Sequence, residues 1–584
     1  MSVQSRELPR VAAQDLSKIK RQVVRQQLGF EDYLRRGLFV LVALVLFIFM
    51  IYPLFIGLMR SFQDRNGEFV GFSNYIRYFS STATSVSMPN SLYVSAMSMA
   101  ITVILAFLYA YGLNRMKIPG KRIFQGIALL PIFIPSLVQA LSLIYMFGNN
   151  GIFTRLVGIN IGLYGSRGII LSEVFYAFPH AFIILSTSLA LADARLYEAA
   201  ESLRTSGRRM FFTITLPGVK YGLMSAAFVV FTLAITDFGA PKVVGGDFDV
   251  LATDIYNKVI GQQDFEMGAT ISTLLLIPAM IAFILDRLVQ RRQVAMVTAN
   301  ITPMGPKRHH PLVELFVYAV IFLLAIFIVS IYLTILLGAF TRYWPYNMTF
   351  TLKNFTFYVA GAHHRGGAFV VLWTSIKMAL LTAVVGTIVV FSSAYLIEKT
   401  RGLNLGRAIL YLLSIMPLAI PGMVLGLSYI FTFNNPASPL NVFYGTMTIL
   451  VVSTIIHYYT VPFLTAMTAL KQMDPEFEYI GESLEAPFYK TFLRVTVPVA
   501  LPAIIQITSY FFLNAMVTLS AVVFLFVPGK ELASLSVMLL DDAGETAQAM
   551  ALSLLIILVG FSARGLFFLL TRGLERRTQA WRIR

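Results

Sequence analysis

The polarity of this chain alternates in long blocks. Stretches of about 20 apolar residues, each long enough to cross a hydrocarbon core as a helix, fall at about 37–60, 91–114, 123–148, 167–191, 221–241 and 267–286. A basic segment with three prolines follows, RLVQRRQVAMVTANITPMGPKRHHP. Six more stretches then come at about 313–338, 372–396, 408–433, 446–468, 501–527 and 547–570. The alternating ten-residue pattern of an outer-membrane barrel is absent. The pattern predicts an all-α integral membrane protein of about 12 transmembrane helices, arranged as two tandem six-helix halves. Its parts are an N-terminal arm (1–36), a first half (37–286), a linker (287–312), a second half (313–571) and a basic tail (572–584).

Composition sharpens this picture. Only 13% of the 584 residues are charged and 57% are hydrophobic, whereas soluble domains carry about 25% charged residues. A formal net charge of +17 would suit nucleic acid, but its distribution decides otherwise. The basic residues collect in the arm, in alternate loops and in the tail. Arg115, Lys117, Lys121 and Arg122 follow the second span, and Arg572, Arg576 and Arg577 follow the twelfth. This is the positive-inside pattern of a bacterial inner-membrane protein with both termini cytoplasmic. The partner it implies is the lipid bilayer, not nucleic acid. Residues 1–36 show no short apolar core ending in a cleavage site and read as a cytoplasmic arm. With Cys 0, disulfides, thiolate metal sites and a cysteine nucleophile are excluded.

The two halves repeat one another. DARLYEAAESLRTSGRRMFFTITLP (193–217) and DPEFEYIGESLEAPFYKTFLRVTVP (474–498) align without gaps. They share Asp193/Asp474, Glu201/Glu482, Ser202/Ser483, Leu203/Leu484, Phe211/Phe492, Thr215/Thr496 and Pro217/Pro498. In the third and ninth spans Pro131/Pro417, Pro135/Pro421, Ser142/Ser428 and Phe147/Phe433 coincide, and GFSNYIRYF (71–79) resembles TLKNFTFYV (351–359). Because six spans is an even number, the halves run in the same direction. They therefore form a pseudo-twofold pair about an axis along the membrane normal, the natural place for a pathway.

Residues 198–217, with Glu-Ala-Ala, a spacer and a closing Leu-Pro, resemble the EAA loop of permeases in type I binding-protein-dependent ABC importers. The resemblance covers essentially the whole chain. It implies that each loop forms a short coupling helix seated on a cytoplasmic ABC ATPase, of which two copies are expected. Carried over residue by residue, the coupling positions are Glu198, Ala199, Ala200, Glu201 and Arg204 in the first loop, and Gly481, Glu482 and Glu485 in the second. The family usually has glycine where Arg204 and Glu485 stand, and the second copy replaces Glu-Ala-Ala by Tyr479-Ile480-Gly481. The chain contains no G-x-x-x-x-G-K-[ST] phosphate loop. It is thus not expected to be an enzyme or to bind a cofactor, with ATP and Mg held by the partner subunits. A periplasmic substrate-binding protein is the other implied partner.

For the substrate, residues 235–269 and 520–547 most resemble permeases assigned to 2-aminoethylphosphonate, so an organophosphorus anion is expected. Ferric iron and sugar phosphates are the alternatives within the same group. Polar residues within apolar spans are costly and are pathway candidates. These are Ser142, Glu173, Tyr176, Asp237, Ser428, His457, Asn514 and Thr518. Each has a plainer reading. Asp237, in a Thr-Asp-Phe-Gly-Ala-Pro turn, could cap a helix break or pair with Lys242, and Ser142 and Ser428 could bond back to their own helices. Lys377 could attract an anion or snorkel to headgroups. The pairs His309-His310 and His363-His364 lack further ligands at metal spacing. A gradient-driven secondary transporter coupled through Glu173, Asp237 and His457 is the rival reading, and a membrane-bound enzyme is disfavoured.

Overall fold

The structure is a computed structural model that describes residues 29–296, 305, 310–356, 367–400, 403–474, 476–484 and 486–578. The linker residues Pro303, Pro306 and His309, and the pair His363-His364, lie outside the described residues. Seven helices are long and apolar enough to cross a membrane: Tyr33–Arg60, Ser87–Arg115, Ser166–Ala190, Phe265–Arg292, Pro311–Ala339, Gly367–Lys399 and Thr546–Leu574. Among the described residues five bent helix pairs also pass, which brings the number to twelve if each pair is one span. In chain order the bent pairs are spans three, five, nine, ten and eleven.

The sharpest bends, 107° in span three and 110° in span nine, fall where the sequence pattern suggests continuous spans. Each has prolines four residues apart, Pro131 and Pro135 in one and Pro417 and Pro421 in the other. Two successive helical hydrogen bonds therefore lose their donors. The freed carbonyls of Pro131 and Ile134 are met by the Gln139 side-chain amide at 3.0 and 3.2 Å.

The repeat recurs in atomic contacts. The Asn74 amide donates to the carbonyls of Ser61 and Gln63, and the Asn354 amide to those of Ala339 and Thr341. Each asparagine thus ties down the chain leaving the first span of its half. The Ser91 hydroxyl accepts the Leu251 N–H, and the Ser375 hydroxyl accepts the Ala533 N–H, both at 2.7 Å. In each case the second span of a half fixes the start of a short helix, Leu251–Tyr256 or Ala533–Asp542.

The halves also exchange their first spans. Span one packs on spans eight and nine, while span seven packs on spans two and three. Phe147 stacks on Phe327 with rings 5.8 Å apart and 7° from parallel, and its repeat partner Phe433 stacks on Phe49 at 6.0 Å and 7°. Gly57 of span one lies against Ser428, so that any side chain at 57 would collide with it. Small residues at such crossings let helix backbones approach closely in lipid.

Asp254, on the short helix Leu251–Tyr256 outside the spans, is only 6% exposed and accepts the Ser87 hydroxyl at 2.9 Å. Burial pushes its carboxyl up to about 6 from 3.8, against the smaller lowering effects of Ser87 and Lys258. Between those two values the folded chain holds a proton that the unfolded chain has released, so stability falls as pH rises through that window. The shift corresponds to at most about 3 kcal/mol. Asp254→Asn is accordingly expected to raise the thermal midpoint at pH 7.5 and to change it little near pH 4, measured by melting the detergent-solubilised protein at both values. Asp541, likewise outside the spans and raised to about 6 by burial, keeps part of the pH slope in that variant.

Candidate docking surfaces and transmembrane pathway

The two repeated loops fold into matching helices, Ala194–Ser202 and Glu476–Ser483. Asp193 starts the first by accepting the Arg195 N–H at 3.1 Å, and Asp474 starts the second by accepting the Glu476 N–H at 3.0 Å. These repeat-matched aspartates are helix N-caps. The hydroxyls of Ser202 and Ser483 bond back to the carbonyls of Glu198 and Tyr479. The first helix ends in a Schellman motif, with Thr205 N–H donating to Ala200 O and Arg204 N–H to Glu201 O, both at 2.9 Å. The second has the corresponding bond from Ala486 to Gly481 at 2.9 Å.

Arg204 occupies the left-handed position of that motif, with φ +52°. Any residue with a Cβ pays about 1 kcal/mol or more there, which gives the family's usual glycine a physical reason. Arg204→Gly is expected to raise the thermal midpoint by a few degrees without altering membrane insertion; an unchanged or lower midpoint would count against strain at this position. Glu485, its repeat partner, lies outside the described residues.

Residues at three-residue spacing, Ala194, Tyr197 and Ala200, form the inner face of the first helix, with exposures of 8%, 4% and 8%. Tyr197 is bonded to the Thr215 hydroxyl at 3.0 Å, and the Arg115 guanidinium lies 5.0 Å over its ring. Ala200, named as a coupling position, therefore packs against the body of the protein. Gly481 is half-buried, and a Cβ there would meet the Thr491 side chain. Glu198, Ala199 and Glu201 do face outward, and Glu482 lies on the second helix. The most exposed apolar side chains of these loops are Leu203 at 79% and Leu484 at 74%. Sequence reasoning named this pair as a repeat identity without giving it a role. A leucine retained in both copies of a charged loop was the available signal.

Behind each helix the chain makes a π-helical turn, Phe211–Thr215 or Phe492–Thr496, and bends by 61° or 78° into span five or eleven. Phe211 packs on Phe107 and Tyr111 of span two, and Phe492 on Phe391 and Tyr395 of span eight. Each of these helices is thus joined by a few residues to a span that reaches the centre of the molecule.

At that centre lies a cavity of about 190 Å³ between the halves. Span four gives it Tyr176; span five gives Thr232, Thr236 and Asp237; span six gives Asp286. The second half contributes His457, Tyr458, Thr460, Tyr510 and Ser520, with the bend of span nine at Pro417–Gly422. The ionisable lining is two carboxyls, three phenols and one imidazole.

Asp237 joins both of its expected readings. One oxygen accepts the Ala240 N–H at 2.8 Å, capping the helix Gly239–Val244, and the other accepts the Ser136 hydroxyl at 2.6 Å. It does not pair with Lys242, which instead reaches across the halves to Asp542 at 3.3 Å. Glu173 is fully buried beside Asp237, one helical turn from Tyr176. Gly239 sits against Ser136, whereas in the other half Gly422 sits against Ser520. The serine and the glycine have traded places between the two copies of one contact.

The other candidates fall outside the cavity lining. Ser142 bonds back to the Val138 carbonyl at 2.8 Å, and Ser428 faces Gly57. Asn514 donates to the Tyr510 carbonyl, and Thr518 is buried with its carbonyl accepting from Ser534. The Lys377 ammonium lies 5.5 Å over the Trp373 ring, one turn away on its own helix. Asp286, held by the Ser225 hydroxyl and the Gln290 amide at 2.7 Å each, is a lining carboxyl that sequence reasoning missed. Its place beside Arg287 made it look like an ordinary helix-end charge.

Residues 98–294 match the family described as the binding-protein-dependent transport system inner membrane component. The putative ferric transport system permease protein FbpB 1 of Haemophilus influenzae is 28% identical over 496 residues, covering 83% of this chain and 77% of its own length. The ferric transport system permease protein FbpB of Actinobacillus pleuropneumoniae is 27% identical over 535 residues, covering 90% of this chain and 76% of its own. A solved bacterial ABC transporter that imports the acidic polysaccharide alginate aligns with 46% of this chain and 97% of its own at 18% identity and a TM-score of 0.39. The family match and the two ferric-permease relatives, with the duplicated loop and up to twelve candidate spans, identify the chain as a fused two-half permease of the binding-protein-dependent ABC importer family.

Proposed function

We propose that this permease carries ferric iron inward, powered by two copies of a cytoplasmic ABC ATPase and supplied by a periplasmic binding protein. The observation that carries the substrate is the lining of the central cavity. An anion entering it would meet Asp237 and Asp286 and no lysine or arginine. A hard, highly charged cation instead meets carboxyl and phenol oxygens, the donors such ions favour. The relatives similar along most of this chain bear the name of ferric transport permeases. Together these favour iron over the 2-aminoethylphosphonate expected from residues 235–269 and 520–547.

In this reading ATP binding draws the ATPase subunits, and with them the two docking helices, toward each other. Spans five and eleven begin within a few residues of those helices, and span five lines the cavity from Phe228 to Asp237. Movement at the loops thereby changes which side the cavity faces. The chain does no covalent chemistry. The direct test is calorimetric titration of the cognate periplasmic binding protein with ferric ion, 2-aminoethylphosphonate and a hexose phosphate. Tight binding of ferric ion alone is expected; tight binding of the phosphonate with no response to iron would overturn the substrate assignment.

A further inference from the structure

The two docking loops are built alike but are not held alike. In the first, the helix after the loop begins at Gly207, and Ser206 immediately before it turns its own hydroxyl toward the Arg209 N–H at 3.5 Å. The repeat places Pro487 and Phe488 at these positions in the second half. Proline has no side-chain oxygen with which to cap, so the second loop has lost its local acceptor. The Lys490 N–H, counterpart of Arg209, turns to the Pro487 carbonyl at 2.8 Å, and a neighbouring first-turn donor is held from elsewhere in the chain. The Glu31 carboxylate, on the first turn of the helix Phe30–Leu46 that leads into span one, takes the Phe488 N–H at 3.3 Å across 457 positions of sequence. Arg35, four residues further on and so on the same helix face, lays its guanidinium 5.0 Å over the Phe488 ring. Phe488 is only 7% exposed. Where the second copy gave up a serine it gained an aromatic ring, and the contact that serves both comes from the start of span one.

We propose that Glu31 and Arg35 are positioning residues for coupling, bracing the second docking loop where the first braces itself. The functional part of this rests on the reading of the loops as ATPase-docking elements; the mechanical part does not. Span one packs on spans eight and nine of the opposite half, so the brace joins the second loop to the exchanged span. Movement of that loop is then shared with span one.

The test uses the absence of native cysteine to place a single spin label at Ser483→Cys or, as control, at the matching Ser202→Cys. Both positions are exposed. In the full-length permease without ATPase, Glu31→Ala is expected to increase label mobility at 483 and leave 202 unchanged. Adding Pro487→Ser, which restores a local cap, is expected to reverse that increase. Unchanged mobility at 483, or equal loosening at both sites, would overturn the brace. In the reconstituted complex, without labels, Glu31→Ala is expected to lower substrate moved per ATP hydrolysed by about threefold or more, with recovery in the Glu31→Ala/Pro487→Ser double variant. A looser loop with an unaltered transport ratio would overturn its role in coupling. Because the spin-label result needs no ATPase, failure of the brace and failure of the docking reading give different outcomes.

Discussion

With Leu203 and Leu484 both changed to aspartate, the permease is expected to reach the membrane in normal amounts and to lose its hold on the ATPase. The two side chains are 79% and 74% exposed, so folding does not depend on them, and surface changes of this kind move stability by about 0.5 kcal/mol or less. Exposed leucines at the ends of otherwise polar helices have a different use, as apolar anchors for a partner surface. Fully burying a leucine is worth about 1.5–3 kcal/mol, and seating an unpaired carboxylate in the same pocket adds a desolvation cost. Over two sites this amounts to an association constant weakened by at least about 100-fold. Co-purification of the ATPase with the tagged permease measures it directly. The single variants should each give part of the effect, and not equal parts, because Tyr479-Ile480 on the second helix adds exposed apolar surface that Glu198-Ala199 does not. Undiminished co-purification of the double variant would remove these leucines from the docking surface.

The second large effect is expected at Asp237, where asparagine and alanine should separate two roles. Asparagine keeps an oxygen able to accept the Ala240 N–H and so retains the cap on Gly239–Val244. It puts a neutral amide where a passing cation would meet a carboxyl. Asp237→Asn is therefore expected to leave the thermal midpoint within a few degrees of the parent and to lower iron transport by at least about tenfold. Asp237→Ala loses the cap as well, at about 1 kcal/mol, and leaves the buried Ser136 hydroxyl without its acceptor. It should both melt earlier and fail to transport. Equal, undiminished transport by Asp237→Asn would make this residue a cap alone.

Much of the fold was legible because duplication turns single residues into pairs. Asp193/Asp474 as caps, Phe211/Phe492 as packing residues, and Phe147/Phe433 as stacking partners were all visible as identities before any contact was known. What the pairing could not supply is direction. Ser142 and Ser428 match in depth yet lie outside the cavity lining, because a span that is apolar all round carries no periodic mark of its inner face. Tyr458 and Tyr510 line the cavity but read, in an apolar run, as ordinary core aromatics. The right-angle bends of spans three and nine needed more than proline positions, since one proline kinks a membrane helix and two can turn it. The exchange of first spans between halves was out of reach. It depends on long-range contacts such as Gly57 against Ser428, whose residue types are common to every span.

The most direct test of the central claim is uptake of radiolabelled ferric iron into proteoliposomes holding this permease and its ATPase, with iron-loaded binding protein outside. ATP is enclosed and proton and sodium gradients are collapsed by ionophores. Uptake that requires ATP, the ATPase and the binding protein together is the predicted result. Uptake that persists without the ATPase and follows an imposed proton or sodium gradient would contradict it, and would make Glu173, Asp237 and His457 the coupling residues of a secondary transporter.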